Sequence, residues 1–145
     1  MAWLVDTNVL VYRFDPRDRR KQHLATELLR GGLENGEARI PHQAIVEFIA
    51  ATTRPLAPDS EASLLTREEA IQEAEEMLTQ FPLLVPSPQQ VRLALRGWAT
   101  YRLSWFDAHL WSFAEHHGLR TLYSEDLQHG RLYGSVRVVN PFAAE

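Results

Sequence analysis

Cysteine is missing from all 145 residues, so no disulfide, thiolate nucleophile or cysteine-bound zinc is available. Lysine is nearly missing: of 15 cationic residues only Lys21 is not arginine. No apolar run approaches the ~20 residues that span a bilayer. The N-terminal apolar segment contains Asp6 and lacks the basic start and small-residue cleavage site of a signal peptide, so a cytoplasmic location is expected. There is no Gly-x-x-x-x-Gly-Lys segment for a phosphate-binding loop, no His-Glu-x-x-His segment for zinc and no nucleophile elbow for Ser–His–Asp catalysis. An excess of positive charge is also missing. The net charge is −4 and the isoelectric point about 5.9, against a protein that coats nucleic acid by charge alone.

What is present is an ordinary globular composition, 45% hydrophobic and 23% charged, read as one domain spanning residues 1–145. A chain of this size buries roughly 68–70% of its unfolded surface, enough for a core without staples. Short apolar segments alternate with helical patterns. Ala2–Val5, "EARIPHQ", "FPLLVPSP", "RTLYS" and "VRVVN" read as about five short strands. Asp18 caps a helix that Gly31-Gly32 should end. Gln43–Thr53, a run opened by the capping box Thr66/Glu69, Gln89–Tyr101 and a run opened by Ser104 supply the other long helices. This alternation predicts an α/β domain with a central, mostly parallel sheet covered on both faces. Ligands of such sheets bind beyond the carboxyl ends of the strands.

Four acids stand where that architecture gives them company. Asp6 interrupts "WLVDTNVLVY" directly after the first strand, and Asp126 follows "TLYSE" after a later one, at the same sheet edge. Glu47 lies in "AIVEFIAATTR" with Ala44, Ala50 and Ala51 beside it on a helix, small residues that leave room for a cavity. Asp107 sits in an apolar stripe with Leu103, Leu110 and Trp111. Each has a plain structural reading: helix cap, exposed helix acid, capping-box partner of Ser104, turn residue. The joint pattern needs more. Converging carboxylates repel and raise one another's pKa, and the chain's single lysine lies in the basic run "RDRRK". A divalent cation resolves the conflict, and oxygen ligands without cysteine favour Mg²⁺ or Mn²⁺. Such a centre serves phosphodiester hydrolysis.

"LVDTNVLVY", "IPHQAIVEF", "LSWFDAHLW", "TLYSEDLQHG" and "VRVVNPF", in this order, resemble the PIN-domain ribonucleases, most closely the VapC-type toxins of toxin–antitoxin pairs. The resemblance implies a three-layer α/β/α fold and a Mg²⁺ or Mn²⁺ site made by Asp6, Glu47, Asp107 and Asp126. It implies that Asn8 and Ser124 orient ligands or substrate. It further implies an endoribonuclease leaving 5′-phosphate and 3′-hydroxyl ends, a homodimer, and a small antitoxin that directs an arginine at the acids. His109 and Trp111 are bulkier than the residues expected after the third acid. The competing expectation is a catalytically inactive PIN-fold protein that binds metal or a partner. A receiver domain needs a late lysine, which this chain lacks.

Overall fold

Trp3, Leu4 and Val5 are all buried, and their alternating side chains enter two different cores. Trp3 and Val5 point to one side of the strand and Leu4 to the other, the period of an extended chain. A strand buried on both faces must lie inside a sheet covered by helices on both sides. The computed structural model, which describes residues 1–143, has that arrangement.

The chain runs β1 (Trp3–Val5), α1 (Thr7–Tyr12), α2 (Arg19–Glu34), β2 (Ala38–Pro41), α3 (His42–Thr53) and α4 (Arg67–Gln80). It continues through β3 (Leu83–Leu84), α5 (Pro88–Tyr101), α6 (Trp105–His116), β4 (Thr121–Tyr123), β5 (Leu132–Tyr133) and β6 (Val136–Val139). The sheet has six strands in the order β3-β2-β1-β4-β6-β5. Every pairing is parallel except β5 with β6. One core joins Val5, Ile40 and Leu10 to Leu29, Phe48 and Met77 of α2, α3 and α4. The other joins Leu4, Leu122 and Val138 to Leu110, Trp111 and Phe113 of α6. The expected α/β/α layering holds, with one strand more than the sequence reading.

The extra strand is β5. It forms a hairpin with β6 across Gly134-Ser135, where Gly134 adopts φ +61°. Such a two-residue turn favours glycine because its backbone needs a positive φ. A second difference concerns Gly31-Gly32, which do not end a helix. They lie inside α2, and a Cβ at Gly32 would overlap the Trp3 ring. The glycine lets helix and sheet approach, and tertiary packing overrides a local breaker signal. Other boundaries follow the expected chemistry. Thr66 and Glu69 complete a reciprocal capping box, and the Ser104 side chain accepts the Asp107 backbone N–H at 3.1 Å.

Candidate active site

Parallel register builds the centre of the site. Val5 pairs with Tyr123, so the next residues of each strand, Asp6 and Ser124, emerge side by side at the carboxyl edge. The Asp6 backbone N–H continues the ladder to the Tyr123 carbonyl at 2.9 Å. Its side chain then does two things. Oδ1 caps α1 by accepting the Thr7 backbone N–H at 2.6 Å, and Oδ2 accepts the Ser124 hydroxyl at 2.7 Å. Helix capping and site formation are therefore compatible roles of one residue. The Asn8 amide lies 3.4 Å from Asp6 Oδ2, while its Oδ1 is buried without a hydrogen-bond partner.

α1 packs on α3, which brings Glu47 to the same place. Thr7 Oγ1 donates to Glu47 Oε2 at 3.4 Å. The sequence reading gave Glu47 only small neighbours, but Gln43, one turn earlier, donates to Oε1 at 2.7 Å. Ser124 Oγ also accepts the Asp126 backbone N–H at 3.2 Å, so one hydroxyl orders both strand-end acids. Glu47 and Asp126 line a cavity of about 350 Å³ together with Thr7, Asn8, Asp15 and Arg17. Asp107 enters from the first turn of α6, half-buried, within electrostatic reach of Asp126.

Burial pushes the Asp6 carboxyl up to about 7; the Ser124 and Thr7 hydrogen bonds oppose this, and the charges of Asp126 and Glu47 add to it. Burial likewise raises Asp107, with Asp126 contributing and Ser104 opposing. Among the described residues, none of these four acids forms an ion pair with lysine or arginine. Nor does any group of three or more His, Asp or Glu side chains among them stand in position to hold a metal ion together. Asp6 feels the charges of Asp126 and Glu47, and Asp107 that of Asp126, without a common coordination sphere. The donor chemistry fits a hard divalent cation: oxygen ligands only, one buried carboxylate whose ionised form needs a positive neighbour, and an orphaned amide oxygen beside it.

Several polar partners were not anticipated. Asp15 is buried at the cavity edge and receives a two-pronged contact from Arg17, Nε at 2.9 Å and Nη2 at 2.8 Å. The side chain of Lys21, expected in an exposed basic run, is only 27% exposed and pairs with Glu125 at 2.7 Å. Tyr12 donates its hydroxyl to the same carboxylate at 2.5 Å. These partners tie the loop after β4, which carries Asp126, to α1 and α2. The Asp15–Arg17 contact is local, two positions apart in the chain. The Glu125 contacts span more than 100 residues and left no local signal.

The PIN domain family model matches residues 3–134. The chain belongs to the PIN domain family. This PIN domain superposes on the DNA-bound VapBC of Salmonella typhimurium with a TM-score of 0.67 and 15% identity, covering 95% of this chain and 96% of that one. The promoter-bound VapBC2 of Rickettsia felis gives 0.68 and 12%, covering 95% and 97%. VapC20 of Mycobacterium tuberculosis, a sarcin–ricin loop cleaving toxin, gives 0.63 and 15%, covering 85% and 88%. At these identities the likeness is one of fold. No curated protein matches the sequence.

Proposed function

We propose that this PIN domain is a Mg²⁺- or Mn²⁺-dependent endoribonuclease, the toxin of a toxin–antitoxin pair. The observation that carries the reading is Asp6. It is a buried carboxylate, oriented by Ser124 and Thr7 and left without a cationic side chain, and its neighbours Thr7 and Asn8 line a cavity together with Asp15, Glu47 and Asp126. Family membership and the toxin–antitoxin neighbours support a nuclease on this scaffold. VapC20 supports RNA as the substrate.

Asp6, Glu47, Asp107 and Asp126 would hold the cation. When bound it would neutralise charge on the phosphate and lower the pKa of water, the usual service of such ions in phosphodiester hydrolysis. The chain's own groups do the rest. Ser124 holds Asp6 and the Asp126 backbone in fixed relation, and Thr7 bridges α1 to Glu47. Asn8 lines the cavity, and its amide oxygen is buried without a hydrogen-bond partner. Arg17, half exposed on the cavity edge, supplies a guanidinium to which a phosphate can bind. An antitoxin carrying an arginine would complement the same acidic cavity. We place the protein in the cytoplasm as a homodimer with that antitoxin; no helix among the described residues is long and apolar enough to cross a membrane.

The decisive assay incubates total RNA with the native chain and the Asp6→Asn and Asp107→Asn variants, with Mg²⁺ and with EDTA. Cleavage by the native chain in Mg²⁺ alone, leaving 5′-phosphate ends, is expected. Equal cleavage in EDTA or by either variant refutes the proposal. The second reading is an inactive PIN-fold module. It draws support from the separation of the acids, with no group in position to hold a metal ion among the described residues. It predicts antitoxin binding without cleavage.

A further inference from the structure

Glu47 is gripped at both oxygens, and the grip at Oε1 comes from a group with a partner of its own. Gln43 Nε2 donates to Glu47 Oε1 at 2.7 Å and to the Phe106 backbone carbonyl at 3.0 Å. Both amide hydrogens are thus spent, one on α3 itself and one on the first turn of α6, immediately before Asp107. The amide oxygen, Gln43 Oε1, stands 2.6 Å from His109 Nδ1. An amide oxygen cannot donate, so the imidazole must carry its hydrogen on Nδ1.

We infer that His109 and Gln43 are a positioning pair that orients Glu47 toward the cavity and locks the Asp107 end of α6 to α3. A glutamine amide is nearly symmetric in shape, and a half-turn about its last bond would put Oε1 against the Glu47 carboxylate. The flip would also set Oε1 against the Phe106 carbonyl and oblige His109 to move its hydrogen to Nε2, so the amide polarity and the Nδ1–H tautomer support each other. With the amide fixed, Glu47 Oε1 is engaged by Gln43, and Oε2 is left beside Thr7 at the cavity. The bulk of His109, which departs from the family resemblance, thereby acquires a purpose. Its ring packs edge-on against Phe113 at 5.1 Å and beside Trp105 at 5.9 Å, so it is held by more than its hydrogen bond.

This rests on the proposed function only where it concerns the cation, and the test separates the two. Long-range ¹H–¹⁵N correlation on the full-length native chain at pH 8 reads the His109 tautomer directly. An Nδ1–H form is expected, changing to the commoner Nε2–H form in Gln43→Leu. Titration with Mn²⁺ alone should show about tenfold weaker binding in Gln43→Leu. In RNA cleavage kcat should fall about tenfold with KM little changed, since no substrate contact is lost. His109→Gln, which keeps an N–H donor, should restore affinity relative to His109→Phe; this second pair serves if Gln43→Leu does not fold. An Nε2–H tautomer in the native chain overturns the positioning pair. So does Mn²⁺ affinity unchanged across the Gln43 and His109 variants. Native chain that binds no Mn²⁺ overturns both the pair's purpose and the proposed function. Mn²⁺ binding without RNA cleavage leaves the pair standing and removes only the nuclease reading.

Discussion

Asp6 and Asp15, which stand before and after α1, are each 6% exposed at the surface, yet they have opposite electrostatic fates. Asp15 receives the fork of Arg17, which holds its carboxyl below the usual range. Asp6 receives only dipoles, from Ser124, Thr7 and Asn8, and burial drives it up to about 7. Surface exposure alone therefore says little about a carboxylate; its depth in the fold and the nature of its partner decide together. Where the fold closes a turn it supplies an arginine. At the strand edge it supplies hydrogen bonds that orient the carboxylate and no cationic side chain.

The largest effect that would break this contrast is on activity. Asp6→Asn is expected to reduce Mg²⁺-dependent RNA cleavage more than a hundredfold, while Asp15→Asn leaves it within about tenfold. Gel-based cleavage rates check both, and equal losses would mean that the two acids serve alike.

Next comes stability against pH. A carboxyl raised in the folded state binds a proton that the unfolded chain has released, so stability falls as pH rises from about 4 to about 7 and then levels. For Asp6 the shift from 3.8 to about 7 corresponds to an order of 4 kcal/mol. The metal-free native chain should therefore melt on the order of 10 °C lower at pH 8 than at pH 5. Asp107, shifted the same way, adds to this. Asp6→Asn should flatten the profile and raise the melting temperature at pH 8. Asp15 acts in the opposite sense and below the acidic limb: its stabilisation is lost only as pH falls under about 4. Scanning calorimetry across pH 3–9 reads both limbs.

Adding Mg²⁺ sharpens the same point. Saturation at a hundred times Kd stabilises by about 2.7 kcal/mol. The gain should be larger at pH 8 than at pH 5, because at low pH the cation must displace the Asp6 proton. A gain independent of pH would place the ion elsewhere.

The smallest effect concerns the pair that already has its partner. Arg17 is more than half exposed, so Arg17→Ala should shift the urea midpoint only slightly, less than any change above.

The strand-end acids were legible because strand and helix periods are short-range signals. An apolar triplet followed by Asp6, or by Ser124-Glu125-Asp126, locates a sheet edge without knowledge of the neighbours. Thr66 and Ser104 announced their helices by the spacing of their capping partners. The missed elements are those decided at a distance. Gly32 looks like a helix stop until Trp3 is seen lying across it, and Gly97 inside α5 accommodates Trp111 in the same way. Strand β5 has only two residues, too few for an alternation pattern, though Gly134-Ser135 before "VRVV" was a usable turn signal. Gln43, four residues before Glu47, was within reach of a helical reading. His109, which gives that glutamine its direction, lies 66 positions away and was not.

Lys21 has a practical corollary. The chain carries only one side-chain primary amine, and it sits between Glu125 and two aromatic rings, Tyr12 at 4.9 Å and Phe142 at 5.6 Å. The α-amine of Met1, though well exposed, is engaged by Glu37 at 2.7 Å. Amine-reactive dyes and crosslinkers thus meet two targets in the folded protein, and they will label the terminus first. Acylation of the lysine, when it occurs, removes the clasp on the loop that bears Asp126, so labelling stoichiometry above one doubles as a gauge of that loop's opening.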